Sequence, residues 1–339
     1  MAYSKFLTAA VSAVVLVAAT GAGFAQDLRK ITFAQPSASA INSFPVYIAI
    51  GEGYFADEGL EVQVETVNGS GSVLQALAAG QADFGRPGPG PLLTARSRGV
   101  DAVFIYNVAA RANFGIMVEE DSPFQTPADL ADKVIGTGTA DGAEVGFARN
   151  VMSGAGMVPG KDFKMMTVGD GGPATAAFLR GDISAYSASV ADAAVLVQRG
   201  VPLRDITPAE FARFFGNGLV TMNETIQQDP ALVEGFVRAF MKGQIFAMDE
   251  ANREASLDHF AAGFPQEIED RDFASALFTA VRSKSIPLEE DKGLGYLPPA
   301  VWDEWQASLI ANGDLAAPLD DLSAAFTNDF VSKISAELN

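Results

Sequence analysis

The sequence contains no cysteine. Disulfides, thiolate chemistry and a lipid-anchoring cysteine at the start of a mature chain are therefore excluded. Histidine is nearly absent: the single one is His259, in a late helical stretch. An isolated helical histidine reads as a surface or capping residue rather than a catalyst. No Ser–His–Asp set, metal-ligand cluster or lysine-bearing phosphate loop is apparent. Positive charge is also scarce, with 23 Lys and Arg against 42 Asp and Glu, a net charge of −19. Nucleic-acid binding needs clustered Lys and Arg, so this balance argues against it. It says little about a small ligand, because a local site can oppose the global field. Tryptophan is limited to Trp302 and Trp305, three apart in a late helix, a spacing that points to packing.

Long apolar runs are missing except at the beginning. Lys5 precedes a run from Phe6 to Phe24 that is rich in Ala and Val and ends Gly23-Phe24-Ala25. Small residues before the break and a short apolar core read as a secretory signal, residues 1–25, cleaved after Ala25. The mature chain then begins at Gln26 and has no further membrane-spanning stretch. Its composition, 48% hydrophobic with many Ala and Gly, suits a packed α/β protein long enough for two lobes.

The chain is organised around Gly51–Gly85. Leu60, Val62 and Val64 alternate with Glu61, Gln63 and Glu65, the period of a strand with one covered face. Asn68-Gly69-Ser70-Gly71-Ser72 follows, then Val73, Leu74, Ala76 and Leu77 at helical spacing, closed by Gly80. This delivers free backbone N–H groups at a helix N-terminus, which favours an anion or polar acceptor. A second copy lies over the first without a gap. Val168, Gly172, Ala177 and Gly181 match Val67, Gly71, Ala76 and Gly80. Two such units argue for two related lobes facing one cleft.

Elsewhere strands alternate with helices, so βαβ units and mainly parallel sheets are expected. Ligands in such sheets sit beyond the C-terminal strand ends. The loop residues expected there are Ser37, Ser39 and Asn42; Ser70, Gly71 and Ser72; Thr137, Gly138, Thr139 and Asp141; Gly171 and Gly172; and Ser187 and Ser189. Their hydroxyls and backbone N–H groups suit oxygen-rich or amide-like ligands. Arg86, in a Pro/Gly loop after Phe84, and Arg111, near the first crossing, each offer a planar fork for a carboxylate or sulfonate. Asp141 either caps its helix or meets an amine. Tyr47, Phe84, Tyr106 and Tyr186 are candidate walls for an aromatic ligand. Leu203–Ile206 and Leu219–Asn223 read as strands returning to the first lobe.

Gly53-Tyr-Phe-Ala-Asp-Glu-Gly-Leu-Glu-Val62 and Ala76-Leu-Ala-Ala-Gly80-Gln-Ala-Asp-Phe-Gly85 resemble the periplasmic solute-binding proteins of ABC importers. The similar group binds sulfonates, nitrate, taurine and thiamine-pyrimidine precursors. The resemblance implies a type II periplasmic binding protein, a Venus flytrap of two α/β lobes joined by two crossing strands. On this reading residues 26–110 and 219–339 form one lobe and residues 111–218 the other, hinged near Ala109–Asn113 and Phe215–Leu219. It implies a monomeric, non-enzymatic periplasmic protein without cofactor or metal. Such a protein captures a small anionic or heteroaromatic solute and delivers it to a membrane permease. Two alternatives stay open: a ligand-sensing domain of a membrane receptor, and an enzyme of thiamine pyrimidine synthesis. The latter resembles synthases with histidine-rich sites and cysteines, whereas this chain has His259 alone and no Cys.

Overall fold

Strand β1 (Arg29–Gln35) forms where apolar residues permit burial, and Ile31 and Phe33 become core. This computed structural model describes residues 28–338, so the expected signal at 1–25 and a start at Gln26 lie outside the described residues. The alternating stretch is β2 (Leu60–Thr66), paired parallel to β1. Strands β3 (Phe84–Gly85) and β4 (Ala102–Tyr106) follow, each after a helix. The second sheet holds β5 (Phe114–Glu119), β6 (Val134–Thr137), β7 (Lys164–Thr167), β8 (Ala185–Ser189) and β9 (Leu203–Asp205). The chain then returns to the first sheet as β10 (Leu219–Met222).

The sheets have matching orders, β2-β1-β3-β10-β4 and β7-β6-β8-β5-β9. In each, the strand that enters straight after a crossing is antiparallel to its neighbours: β10 against β3 and β4, and β5 against β8 and β9. The crossings, residues 107–113 and 206–218, are tied together. Ala109 N–H donates to the Asn217 carbonyl at 3.1 Å, and Gly216 N–H donates to the Ala109 carbonyl at 2.8 Å. Leu203–Asp205 does not return to the first lobe as the sequence led us to expect. It extends the second sheet along β5, through Met117 opposite Asp205, because β5 still had an open edge there.

The duplicated glycine units share one physical ending. Helices Gly69–Ala78 and Gly172–Leu179 are followed by Gly80 (φ 65°) and Gly181 (φ 72°). Gln81 N–H reaches the Ala76 carbonyl and Asp182 N–H the Ala177 carbonyl, both at 2.9 Å. A left-handed residue is needed to fold the chain back onto those carbonyls, and glycine adopts it without a Cβ clash.

Helix Pro230–Met248 packs onto the first sheet, with Phe236 stacked 3.9 Å from Phe84 between ring centroids. Trp302 and Trp305 are both buried, Trp302 against Phe104, Phe215 and Phe326, and Trp305 against Phe214. The crossing segment 206–218 thus rests on a C-terminal helix as well as on its partner crossing. Among the described residues no helix is long and apolar enough to span a membrane.

Candidate functional site

Both sheets turn their C-terminal strand ends toward one cavity of about 500 Å³. The chain beyond β1 supplies Ser37, Ser39 and Asn42, and that beyond β3 supplies Arg86. From the second sheet come Thr139 after β6, Asp170 after β7 and Ser189 at the end of β8. Glu144 and Asp192 follow on the helices those strands lead into. The C-terminal segment covers the opening with Glu267, Phe273 and Leu277.

Arg86 is held by its backbone and left free at its head. Its N–H donates to the Ala34 carbonyl at 3.0 Å, and its carbonyl accepts from Asn217 Nδ2 at 3.0 Å. Gly85 lets the strand lie against the Gly69 helix, since a Cβ there would stand 2.5 Å from Val73 Cγ1. Arg86 is only 5% exposed, yet among the described residues it makes no ion pair and its Nε has no partner. Burial without an anion pulls its pKa from 12.5 down to about 10. Two neighbouring cleft residues also carry unmet acceptors, Asn113 Oδ1 and Asn217 Oδ1. A buried donor and two buried acceptors without partners are costly unless a ligand meets them.

The opposite wall is acidic. Glu144 Oε1 accepts from the Thr139 N–H (2.9 Å) and hydroxyl (2.6 Å). Asp170 Oδ1 accepts from the Tyr186 hydroxyl at 3.0 Å, and Asp192 Oδ2 from the Ser189 hydroxyl at 2.7 Å. Burial, with the charge of Asp170 nearby, holds the Glu144 carboxyl above its ordinary range. Burial first, then Asp170, push Asp192 up to about 7, with Glu144 adding to the effect. The Tyr186 hydroxyl is raised for the same reasons, burial and adjacent carboxylates.

Of the residues named from sequence, Ser37, Ser39, Asn42, Ser70, Arg86, Thr139 and Ser189 line the cavity. Ser39 is engaged, however: its hydroxyl donates to Glu267, which also accepts the Ala40 and Ile41 N–H groups. Ser70 Oγ accepts the Gly88 N–H at 3.1 Å. Thr137 and Ser187 sit one layer back and position the lining, donating to the Thr139 and Glu144 carbonyls, each at 2.9 Å. Gly138 is a spacer, because a Cβ there would fall 1.8 Å from Asp170 Oδ1. Gly171 and Gly172 open their helix outside the lining, and a Cβ on Gly172 would meet Arg199 Nη1 at 2.9 Å.

Four further expectations change. Arg111 is not in the cleft; it donates to the Ile286 and Pro287 carbonyls, which lie just past helix Arg271–Ser283. Asp141 does not cap its own helix, whose N-cap is Gly142 without a side-chain bond. Its carboxylate instead crosses to the Gly69 helix, where a Cβ on Gly71 would lie 1.9 Å from Oδ2. Gly71 and Asp141 line a separate groove of about 400 Å³, and Ser72 lines neither space. Phe84, Tyr106 and Tyr186 belong to the core, and Tyr47 is also buried, so the aromatic wall is Phe114 and Phe273. His259 pairs with Glu52 at 2.6 Å, away from the cavity.

Residues 40–253, more than half of the chain, match the family described as NMT1/THI5 like. The chain belongs to the NMT1/THI5-like family. A curated relative, the riboflavin-binding protein RibY of Chloroflexus aurantiacus, is 28% identical over 90% of this chain and 86% of its own length. A formylaminopyrimidine-binding protein of Halalkalibacterium halodurans is 29% identical over 29% of each chain. Solved structures of similar fold include the periplasmic aliphatic sulphonate-binding protein SsuA of Escherichia coli. It has a TM-score of 0.68 at 16% identity and covers 89% of this chain and 92% of that one. The periplasmic nitrate-binding protein NrtA of Synechocystis PCC 6803 also scores 0.68 at 16% identity, covering 92% and 90%. The two-sheet architecture of this NMT1/THI5-like chain is therefore that of a type II periplasmic binding protein.

Proposed function

We propose that this protein is the periplasmic substrate-binding component of an ABC-type importer. It captures one small N-heterocyclic solute, of the flavin or pyrimidine kind, in the interlobe cleft and passes it unaltered to a membrane permease. Residues 26–110 and 219–339 act as one lobe and residues 111–218 as the other, and the protein works as an exported monomer.

The observation that carries this reading is the unmet polar set at the hinge wall. Arg86, without an ion pair among the described residues, lines the cavity beside the amide side chains of Asn113 and Asn217. A ring edge that alternates C=O and N–H meets both kinds of side chain at once. Phe114 and Phe273 supply apolar faces, and a cavity of about 500 Å³ suits a molecule of that size. The names of the RibY and formylaminopyrimidine-binding relatives point to the same chemistry. A simple oxyanion, the other half of the expectation from sequence, would satisfy Arg86 but make no use of the apolar faces of Phe114 and Phe273.

Riboflavin is the direct probe. Its fluorescence should be quenched saturably at one site per chain. If neither riboflavin nor formylaminopyrimidine gives saturable binding by fluorescence or calorimetry, the heterocycle reading is wrong.

A further inference from the structure

Six acids line the cavity, Glu144, Asp170, Asp192, Glu267, Glu269 and Asp270, against two arginines, Arg86 and Arg199. Glu267 spends its carboxylate on the Ser39–Ile41 loop. Glu144, Asp170 and Asp192 are different. Each accepts a protein hydroxyl on one oxygen, from Thr139, Tyr186 and Ser189 respectively, and backbone N–H groups also support Glu144 and Asp192. Asp170 opposes the ionisation of Glu144, and both oppose that of Asp192; among the described residues no side-chain cation pairs with any of the three. The buried, unpartnered Arg86 opens into the same cavity, so the cavity is built for an occupant.

We propose that the wall formed by Glu144, Asp170 and Asp192 takes hydrogen-bond donors of the solute and repels its anionic forms, so that the protein captures an unphosphorylated solute and rejects its phosphate ester. The inference rests on the heterocycle reading above and deepens it. Arg86 receives the acceptor edge of the ring; the carboxylates receive hydroxyl or N–H groups at the far end. A phosphate there would set a dianion against Asp170 and the partly buried Glu144 and Asp192, with the exposed Arg199 as the nearby counter-charge. The groups facing Asp192 are Asp170 and Glu144 on its own side, Tyr186 beneath Asp170, Arg199 on its own helix, and Glu269 and Asp270 from the covering segment.

The test compares riboflavin with riboflavin 5′-phosphate by titration calorimetry, on the parent and on the Asp170→Asn/Asp192→Asn variant. The parent should bind the phosphate ester at least about a hundredfold more weakly, and the variant should narrow that gap to about tenfold or less. Equal binding of the two flavins by the parent, or an unchanged gap in the variant, overturns the proposal. If neither flavin binds the parent, the heterocycle reading fails, and two flavin-free arms decide the filter. Ethanesulfonate should raise the melting temperature of the Asp170→Asn/Asp192→Asn variant by more than that of the parent; an equal rise in both, or none in either, overturns the filter. A carboxyl raised on folding favours the folded state most below its unfolded value and loses that advantage as pH rises through about 7. Asp192→Asn should therefore raise the melting temperature at pH 8 and not at pH 4. A fall at both pH values marks Asp192 as a structural residue and ends the proposal.

Discussion

Arg86→Met gives two readouts of opposite sign. The guanidinium is buried, unpaired and displaced from 12.5 to about 10. A displacement of that size corresponds to roughly 3 kcal/mol spent on keeping the charge in the empty cleft. Methionine has a similar length, keeps most of the packing and removes the charge, so the unliganded protein should gain stability. Lost contacts of the alkyl stem offset part of this, leaving a gain of about 1–2 kcal/mol. In a chain of this length that raises the melting temperature by about 2–4 °C. Ligand affinity should move the other way. Losing a charge-assisted hydrogen bond costs roughly 1.5–3 kcal/mol, about ten- to a hundredfold in Kd. Arg86→Lys should recover only part of the affinity, because one ammonium does not reproduce the planar fork. Differential scanning calorimetry of the unliganded variants and titration calorimetry with riboflavin give both numbers. A destabilised Arg86→Met with undiminished affinity would refute the reasoning, since Arg86 would then be a structural residue.

Other parts of the structure make independent predictions. A Cβ on Gly88 would stand 2.4 Å from Ala143 Cβ across the two halves, so Gly88→Ala should wedge the cleft open. Its signature is a larger radius of gyration by small-angle scattering and an affinity loss of about tenfold. Gly216→Ala would place Cβ 1.8 Å from Asn113 Oδ1 and 3.1 Å from Ala109 Cβ, where the crossings meet. Overpacking there should cost about 1–3 kcal/mol in urea unfolding. Glu267→Ala leaves the Ala40 and Ile41 N–H groups without their acceptor. It should cost about 1–3 kcal/mol and raise hydrogen exchange in the Ser39–Asn42 loop first.

The strands and the two glycine units could be read from sequence because their signals are local. Period-two alternation marks Leu60–Thr66, and Gly80 and Gly181 mark helix ends that need a left-handed residue. Arg86 was found by position alone, as the residue after a strand whose C-terminal end opens on the cleft. The acidic wall was not found, because each of its members has an innocent local reading. Asp192 looks like a first-turn acid behind Ser189, and Glu144 like a solvated helix residue. Asp170 carried a usable signal: it stands in the second glycine unit where the first has Gly69. What joins these three is the register of β6, β7 and β8, which no local pattern contains. The aromatic residues failed for a related reason. Tyr106 and Tyr186 lie in strands whose residues are all buried, so they pack inward. Phe273 reaches the cavity only because the C-terminal helices fold back over it.

The central claim is that one donor-bearing, unphosphorylated solute sits beneath Arg86. Native mass spectrometry of the protein isolated in its parent and Arg86→Ala forms tests it most directly, because the ligand need not be guessed. The account predicts one N-heterocyclic, phosphate-free molecule per parent chain, depleted in the variant. A simple oxyanion in the parent, or the same molecule retained at full occupancy by Arg86→Ala, would contradict it.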